Sequence, residues 1–285
     1  MRNAMTVDVE DWFQVQAFAG TIARDSWDSR ERRVENNTNW VLDLFARNQV
    51  HATFFTLGWV AERHPELVRR IVAEGHELAS HGYGHRLAHE QSQEEFREDV
   101  VQAKHLLEDI GGVAVKGYRA PTFSINQRNP WAFEVLDDAG YRYSSSIYPV
   151  KHDLYGMPHA PRQPHHPAAG RNLVEIPMTT LRVMGRNFPC AGGGYFRLVP
   201  YAMYRAALQR VNRVEERHGI FYTHPWELDP AQPRVHAAPR MAKFRHYLNL
   251  HKMRGRMQSL LEDFAWGRVD QVFADALAGK AERGA

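Results

Sequence analysis

The stretch HELASHGYGH, residues 76–85, places three histidines in ten positions. His81 and His85 stand four apart, a spacing that brings two imidazoles together on a helical turn or in a compact loop. One carboxylate added to them makes a two-histidine, one-acid set for a divalent ion, and these donors suit zinc, cobalt, nickel or iron. Such an ion polarises a carbonyl and lowers the pKa of water. An HxxxH pair also arises by chance, and taken alone it reads as two polar loop histidines bonded to backbone. Nearby glycines, a preceding strand and a separate acidic cluster favour the metal reading. His76 stands at the start of that strand and reads as structural. HELAS ends in serine, so the H-E-x-x-H protease motif is not present.

The acidic cluster is DVED, with Asp8, Glu10 and Asp11. Acids after a strand often cap a turn, but three within four residues, beside Trp12 and Phe13, is more than a cap needs. Hydrolysis at a metal uses one carboxylate on the ion and another that takes a proton from water. An arginine can orient that base by charge pairing, and Arg119 in YRAPTF is placed for it. A histidine on the opposite side can protonate a leaving amine; His224, ahead of Pro225 in YTHPWE, is the candidate. Taken singly, Arg119 reads as a surface or structural arginine, and His224 is equally weak.

These groups need elements that carry them to one place. MTVDV, HATFFTLG, HELASHG, VAVKGYRAP and YRYSSS read as strands. NWVLDLFARNQV, PELVRRIVAEG, SQEEFREDVVQAKHLLEDIGG and NPWAFEVLDDAG read as helices between them. Alternation over residues 5–147 predicts an α/β fold, a mostly parallel sheet covered by helices, open or closed into a barrel. In such folds chemistry gathers on loops after the strands' C-terminal ends, which is where all four polar clusters stand. Residues 148–172, rich in proline and histidine, read as loop. NLVEIPMTTLRV and GIFYTHPWEL then read as core strands flanking an amphipathic helix in PYAMYRAALQRVNRVEERHG. The tail MAKFRHYLNLHKMRGRMQSLLEDF reads as a packed terminal helix rather than a membrane binder. No linker is visible, so residues 1–285 read as a single domain.

Composition excludes several classes. The 285 residues carry a formal charge of +3 with dispersed basic residues, which does not call for nucleic acid. One cysteine, Cys190, rules out an intrachain disulfide. No run of 18 apolar residues predicts a membrane span. The N-terminus does not read as a signal peptide, and a cytoplasmic location is the expectation.

TVDVEDWFQV, GHELASHGYGH, GYRAPTFS, DDAGYRYSSSI, LVEIPMTT and FYTHPWELD occur in that order over residues 6–229. As a set they resemble the polysaccharide deacetylases of carbohydrate esterase family 4, which share the NodB homology domain. GGGYFRLVPY and residues 240–275 are similar to the branch found in exopolysaccharide loci with exosortase systems, which carries an extra C-terminal region, here about 235–285. The resemblance implies a distorted (β/α) barrel of seven or so strands. It implies Asp8 as catalytic base, His81 and His85 as metal ligands, Arg119 as the residue orienting the base, the Thr122 N–H at the oxyanion and His224 as catalytic acid. Asp138, Glu175 and Trp226 fall in family-like motifs and read as supports or pocket walls.

The chain departs from the family at one point. Most members have two adjacent aspartates after the first strand, and this chain has Val9, then Glu10 and Asp11. Position favours Glu10 as the metal carboxylate and residue type favours Asp11; both stay open. The ion expected is zinc, with cobalt or nickel as alternatives. The implied function is hydrolysis of the N-acetyl group of an amino sugar, in an oligo- or polysaccharide or a lipid-linked precursor, releasing acetate. Trp12, Phe13, Tyr83 and Trp226 are the aromatics expected to stack on sugar rings, although core packing is the commoner fate of such residues. The rival readings are a metal-independent hydrolase of ureides or cyclic imides, a non-catalytic carbohydrate-binding module and a metal-dependent phosphoesterase.

Overall fold

A computed structural model describes residues 1–279; residues 280–285 of the expected C-terminal region lie outside the described residues. The strands are β1 (Arg2–Val9), β2 (Thr53–Thr56), β3 (Glu77–Ser80), β4 (Gly117–Tyr118), β5 (Tyr143–Ser144), β6 (Val174–Glu175), β7 (Thr180–Val183), β8 (Arg186–Pro189), β9 (Ile220–Thr223) and β10 (Ala265–Gly267). Helices α1 (Val34–Arg47), α2 (Gly58–Arg63), α3 (Pro65–Ala73), α4 (Gln93–Gly111) and α5 (Ala132–Asp138) alternate with the first strands. Helices α6 (Gly193–Leu198), α7 (Tyr201–Arg213), α8 (Arg240–Tyr247) and α9 (Leu250–Asp263) follow.

The fold is α/β, built on a parallel sheet curled into a half-barrel. The sheet runs β1-β2-β3-β4-β5-β6, and β9 and β10 both pair with β1. It does not close through a regular ladder. After β6 comes Pro177, which has no N–H to offer, and the gap to β9 is spanned by a single bridge between Gly192 and Tyr222. Thr179 Oγ1 helps, accepting from the Ile220 N–H at 2.5 Å. The segment expected to be one core strand, NLVEIPMTTLRV, is therefore two. Its second half leaves the sheet as β7, which pairs antiparallel with β8 beyond it.

Local chemistry accounts for the elements. Helix α4 opens on a capping box, with the Glu95 N–H donating to Ser92 Oγ and the Ser92 N–H to Glu95 Oε2. It stops at Gly112 with φ 65° and buries Phe96, Val100, Ala103 and Leu107. The expected single tail helix is broken at Asn249, which is left-handed at φ 53°. The second piece, α9, buries Leu250, Met253, Met257, Leu260 and Leu261, so its apolar face is spent on the core. No helix among the described residues is long and apolar enough to cross a membrane.

Beneath the sheet, Glu77 is buried and accepts from Thr53 Oγ1 (2.6 Å) and the Tyr143 hydroxyl (2.9 Å). The Asp270 N–H also donates to it, at 3.2 Å. Burial pushes its carboxyl up to about 7. Between the unfolded value and 7 the native state therefore binds more protons than the unfolded chain, so stability falls as pH rises through that window. Glu77→Gln removes this dependence. Urea unfolding at pH 5 and pH 8 is expected to shift in the variant's favour, relative to the native protein, by on the order of 2 kcal/mol.

Candidate metal centre and acid–base site

Register decides which side chains meet. Val9 pairs with Thr56, Thr56 with Ser80 and Ser80 with Tyr118. The next residues along three of these strands are Glu10, His81 and Arg119, so they emerge at one level of the sheet's C-terminal edge. On the other side of β1, Val7 pairs with Thr223, which sets Asp8 beside His224. Thr6, Asp8 and Glu10 alternate with apolar neighbours and so share one face.

Arg119 is fully buried. Its Nη1 donates to Asp8 Oδ1 at 2.6 Å and to Thr6 Oγ1 at 2.8 Å. Its Nε donates to the Ser145 carbonyl at 3.1 Å, and the guanidinium lies 4.1 Å from the Phe55 ring centre. Asp8 is thereby fixed through one oxygen, while the other faces His224 Nε2 at 3.9 Å.

Glu10, His81 and His85 are all buried and offer ligand atoms within 4.8 Å of one another. Their surroundings fit a divalent ion. His81 Nδ1 lies 2.9 Å from the Arg119 carbonyl, so that nitrogen carries the proton and Nε2 keeps its lone pair. Burial lowers His81 to about 4, leaving a neutral imidazole. Glu10 Oε2 is buried without a hydrogen-bond donor, yet lies 2.8 Å from His85 Nε2. Two such atoms sit this close only around a shared positive charge, a proton or a metal ion. Burial alone would raise Glu10, but the fields of His85 and His224 overcome it and hold the carboxyl at about 2.

Asp11 goes elsewhere. Its oxygens accept the N–H groups of Trp12 (2.9 Å), Arg33 (2.8 Å) and Val34 (3.0 Å), tying the first turn of α1 to the end of β1. Burial nonetheless pushes it up to about 6. Of the two acids left open, only Glu10 stands with the histidines.

His224 is held by a chain of charges. Its Nδ1 lies 2.6 Å from Glu227 Oε1, and Glu227 Oε2 accepts from Arg197 Nε at 2.8 Å. Nε2 points to the site, 3.5 Å from Glu10 Oε1. Burial opposes a charge on this ring, but Glu10 and Glu227 raise it to about 9. The ring stacks on Trp226 (5.2 Å), which stacks on His246 (4.1 Å). Arg197 and His246 were not foreseen, since each lies far in sequence from the motifs it supports. Both lie inside segments noted above, Arg197 in GGGYFRLVPY and His246 in MAKFRHYLNLHKMRGRMQSLLEDF, but nothing local ties either to His224.

The site lines a pocket of about 130 Å³ that also includes Val15, Thr122, Phe123, Tyr155, Tyr222 and Trp226. Thr122 is left-handed, at φ 55° and ψ 27°, a costly backbone for a β-branched residue that functional sites tolerate. Trp226 lines the pocket and donates its Nε1–H to Glu10 Oε1 at 3.1 Å. The other three aromatics do not line it. Trp12 and Phe13 pack in the core, and Trp12 Nε1 donates to the Glu31 carbonyl. Tyr83 donates its hydroxyl to Glu62 on an exposed edge. Glu175 is buried and caps the Ser146 and Ile147 amides, and Asp138 pairs with Arg97 and Arg171 at the surface. His76 accepts the Ala52 N–H, as its place at the strand's start implied.

Comparison with known proteins places this geometry. Residues 25–144 match the polysaccharide deacetylase family model, and residues 145–274 match a domain of unknown function, DUF3473. The chain is 35% identical over 95 residues to a peptidoglycan-N-acetylglucosamine deacetylase of Bacillus cereus. That match covers 33% of this chain and 34% of the relative, so the chain spans about a third of that relative's length. Among solved structures, a Mycobacterium smegmatis protein assigned to the polysaccharide deacetylases superposes with TM-score 0.65 at 20% identity, covering 99% of this chain and 91% of that one. PuuE allantoinase superposes with TM-score 0.61 at 15% identity, covering 98% and 91%. These two likenesses show the fold. Residues 25–144 are thus similar to a polysaccharide deacetylase domain of the CE4/NodB kind. His81, His85, Arg119 and Thr122 lie inside the deacetylase match, Asp8 and Glu10 precede it, and His224 and Trp226 lie in the DUF3473 segment.

Exchanging the two acids separates their roles. Glu10→Gln is expected to weaken zinc or cobalt binding by roughly a hundredfold or more while the fold persists. Asp11→Ala is expected to leave metal affinity within about threefold but cost about 2 kcal/mol of stability, because three backbone amides lose their acceptor. Metal titration and urea unfolding on the two proteins read these outcomes.

Proposed function

We propose that the protein is a metal-dependent hydrolase that removes the N-acetyl group of an amino sugar, in a polysaccharide or its precursor, and releases acetate. The observation that carries this reading is the Glu10, His81, His85 cluster set between the Arg119–Asp8 pair and His224. Relatives named as amino-sugar deacetylases support the substrate class. The narrower resemblance, to the exosortase-associated branch, rests on the motifs at 192–201 and 240–275 alone. We also read the chain as one catalytic unit, because its site draws on residues 8 to 226.

Glu10, His81 and His85 would hold the ion, with zinc the expected metal. Bound there, it supplies Lewis-acid polarisation of the acyl carbonyl and a more acidic water. Asp8, fixed by Arg119, takes a proton from the attacking water through the oxygen Arg119 leaves free. The Thr122 N–H meets the charge that develops on the carbonyl oxygen. As the C–N bond breaks, His224 gives its proton to the departing amine. Glu227 and Arg197 act behind His224, fixing the ring so that Nε2 faces the reacting atoms. Free amino sugar and acetate leave.

Acetate release from N-acetylated chito-oligosaccharides tests this. Activity is expected to vanish on chelation and return with zinc or cobalt, and activity that survives chelation overturns the metal mechanism. Asp8→Asn is expected to lower kcat by roughly a thousandfold with metal content unchanged. Glu227→Gln is expected to lower kcat by roughly tenfold to a hundredfold with KM within about twofold; a purely structural role would instead appear as lost stability with kcat per folded molecule intact.

A further inference from the structure

Beside the small polar pocket lies a larger groove of about 530 Å³, and the two share Val15, Tyr155 and Trp226 as walls. Nine of the eleven exposed large hydrophobic side chains among the described residues fall between residues 154 and 244. Four of them, Leu154, Leu198, Met241 and Phe244, line this groove. A contiguous apolar surface left in water marks a binding site more often than a defect.

The polar groups of the groove are mostly committed. Arg197 is bonded to Glu227 and to the His246 and Leu248 carbonyls. His246 is bonded to Gln232, and Arg245 is paired with Asp153. Further sugar hydroxyls placed here would lose water and find few partners, which is unfavourable. A hydrocarbon chain meets no such cost. Lys151, at the same groove, is exposed and has no acidic partner among the described residues.

We propose that the substrate is a glycolipid: the amino sugar enters the polar pocket, its hydrocarbon chain lies along the groove, and Lys151 faces an anionic link between them. This rests on the deacetylase reading above and names its substrate class. The groove shares three of its walls with the pocket that would take the sugar, so a group attached to a bound sugar lies next to it. The occupant is therefore the substrate's own tail, and its linkage, such as a phosphate, supplies the charge that Lys151 lacks.

The test is calorimetry of methyl and octyl N-acetylglucosaminides binding to the zinc-loaded full chain, below the micellar concentration, with acetate followed in the same samples. The octyl compound is expected to bind roughly thirtyfold tighter or more, the return from partial burial of its extra methylenes. Leu198→Asp and Phe244→Asp, both at half-exposed positions that a folded chain tolerates, are expected to reduce that advantage to about threefold or less. Equal affinity for the two glycosides, or an advantage untouched by both variants, overturns the proposal. So does sedimentation showing a dimer that Leu198→Asp turns into a monomer, since the groove would then be covered by a second copy. Acetate from both glycosides with no affinity advantage overturns the groove alone. A chain-length advantage with no acetate from either overturns the catalytic reading and leaves the groove standing.

Discussion

A fully buried guanidinium sets the terms for this structure. Arg119 has left water completely, and a charge so placed is tolerated only if every donor is matched. Thr6 and Asp8 come from β1, Ser145 from the end of β5 and the Met178 sulfur from beyond β6. Phe55 of β2 covers the guanidinium's face. One side chain thus requires four strands, or the segments that follow them, to converge at one level. The same requirement fixes Asp8 through a single oxygen and leaves the other turned to the pocket. Removing one partner of such a pair costs about 3–5 kcal/mol, so the site's electrostatics and the sheet's curvature are one constraint.

A second chain of charges approaches from the opposite side. Arg197, Glu227 and His224 descend from α6 and the end of β9, and Trp226 locks between the His224 ring and His246 of α8. These residues belong to the segment matching DUF3473, whereas the histidines that would hold a metal belong to the segment matching the deacetylases. The His224 side of the site is thus built by the segment matching DUF3473. Backbone strain gathers at the seam. His85, Thr122 and Phe123 are three of seven non-glycine residues with positive φ among the described residues, and the surrounding packing must hold them there.

Much of this was legible in residue types and local spacing. Clusters at strand ends, DVED, SHGYGH, YRAPTF and YTHPWE, mark the C-terminal edge of a parallel sheet, and the βα alternation says the sheet exists. The capping box of α4 and its glycine stop are equally local. What was not legible depends on partners distant in sequence. Nothing in DVED tells Glu10 from Asp11; the difference is that the N-terminal turn of α1, more than twenty residues on, occupies Asp11. The aromatic residues mislead for the same reason, because Trp12 and Phe13 follow the acids yet pack in the core, Phe13 against Trp27 and Trp59. The short strand β10 carries no strand-like period of its own and exists only because β1 offers it an edge.

The sequence by itself determined which residue types gather at the site, carboxylates, histidines and an arginine at strand ends, together with the α/β scaffold that carries them. Those follow from residue identity and from periodicities set within a few residues. Tertiary structure alone decided which carboxylate joins the histidines, which aromatic borders the pocket and which residues brace His224. Each of these depends on strand register and on contacts between segments as much as 216 residues apart, where a shift of one position turns a side chain to the other face of the sheet.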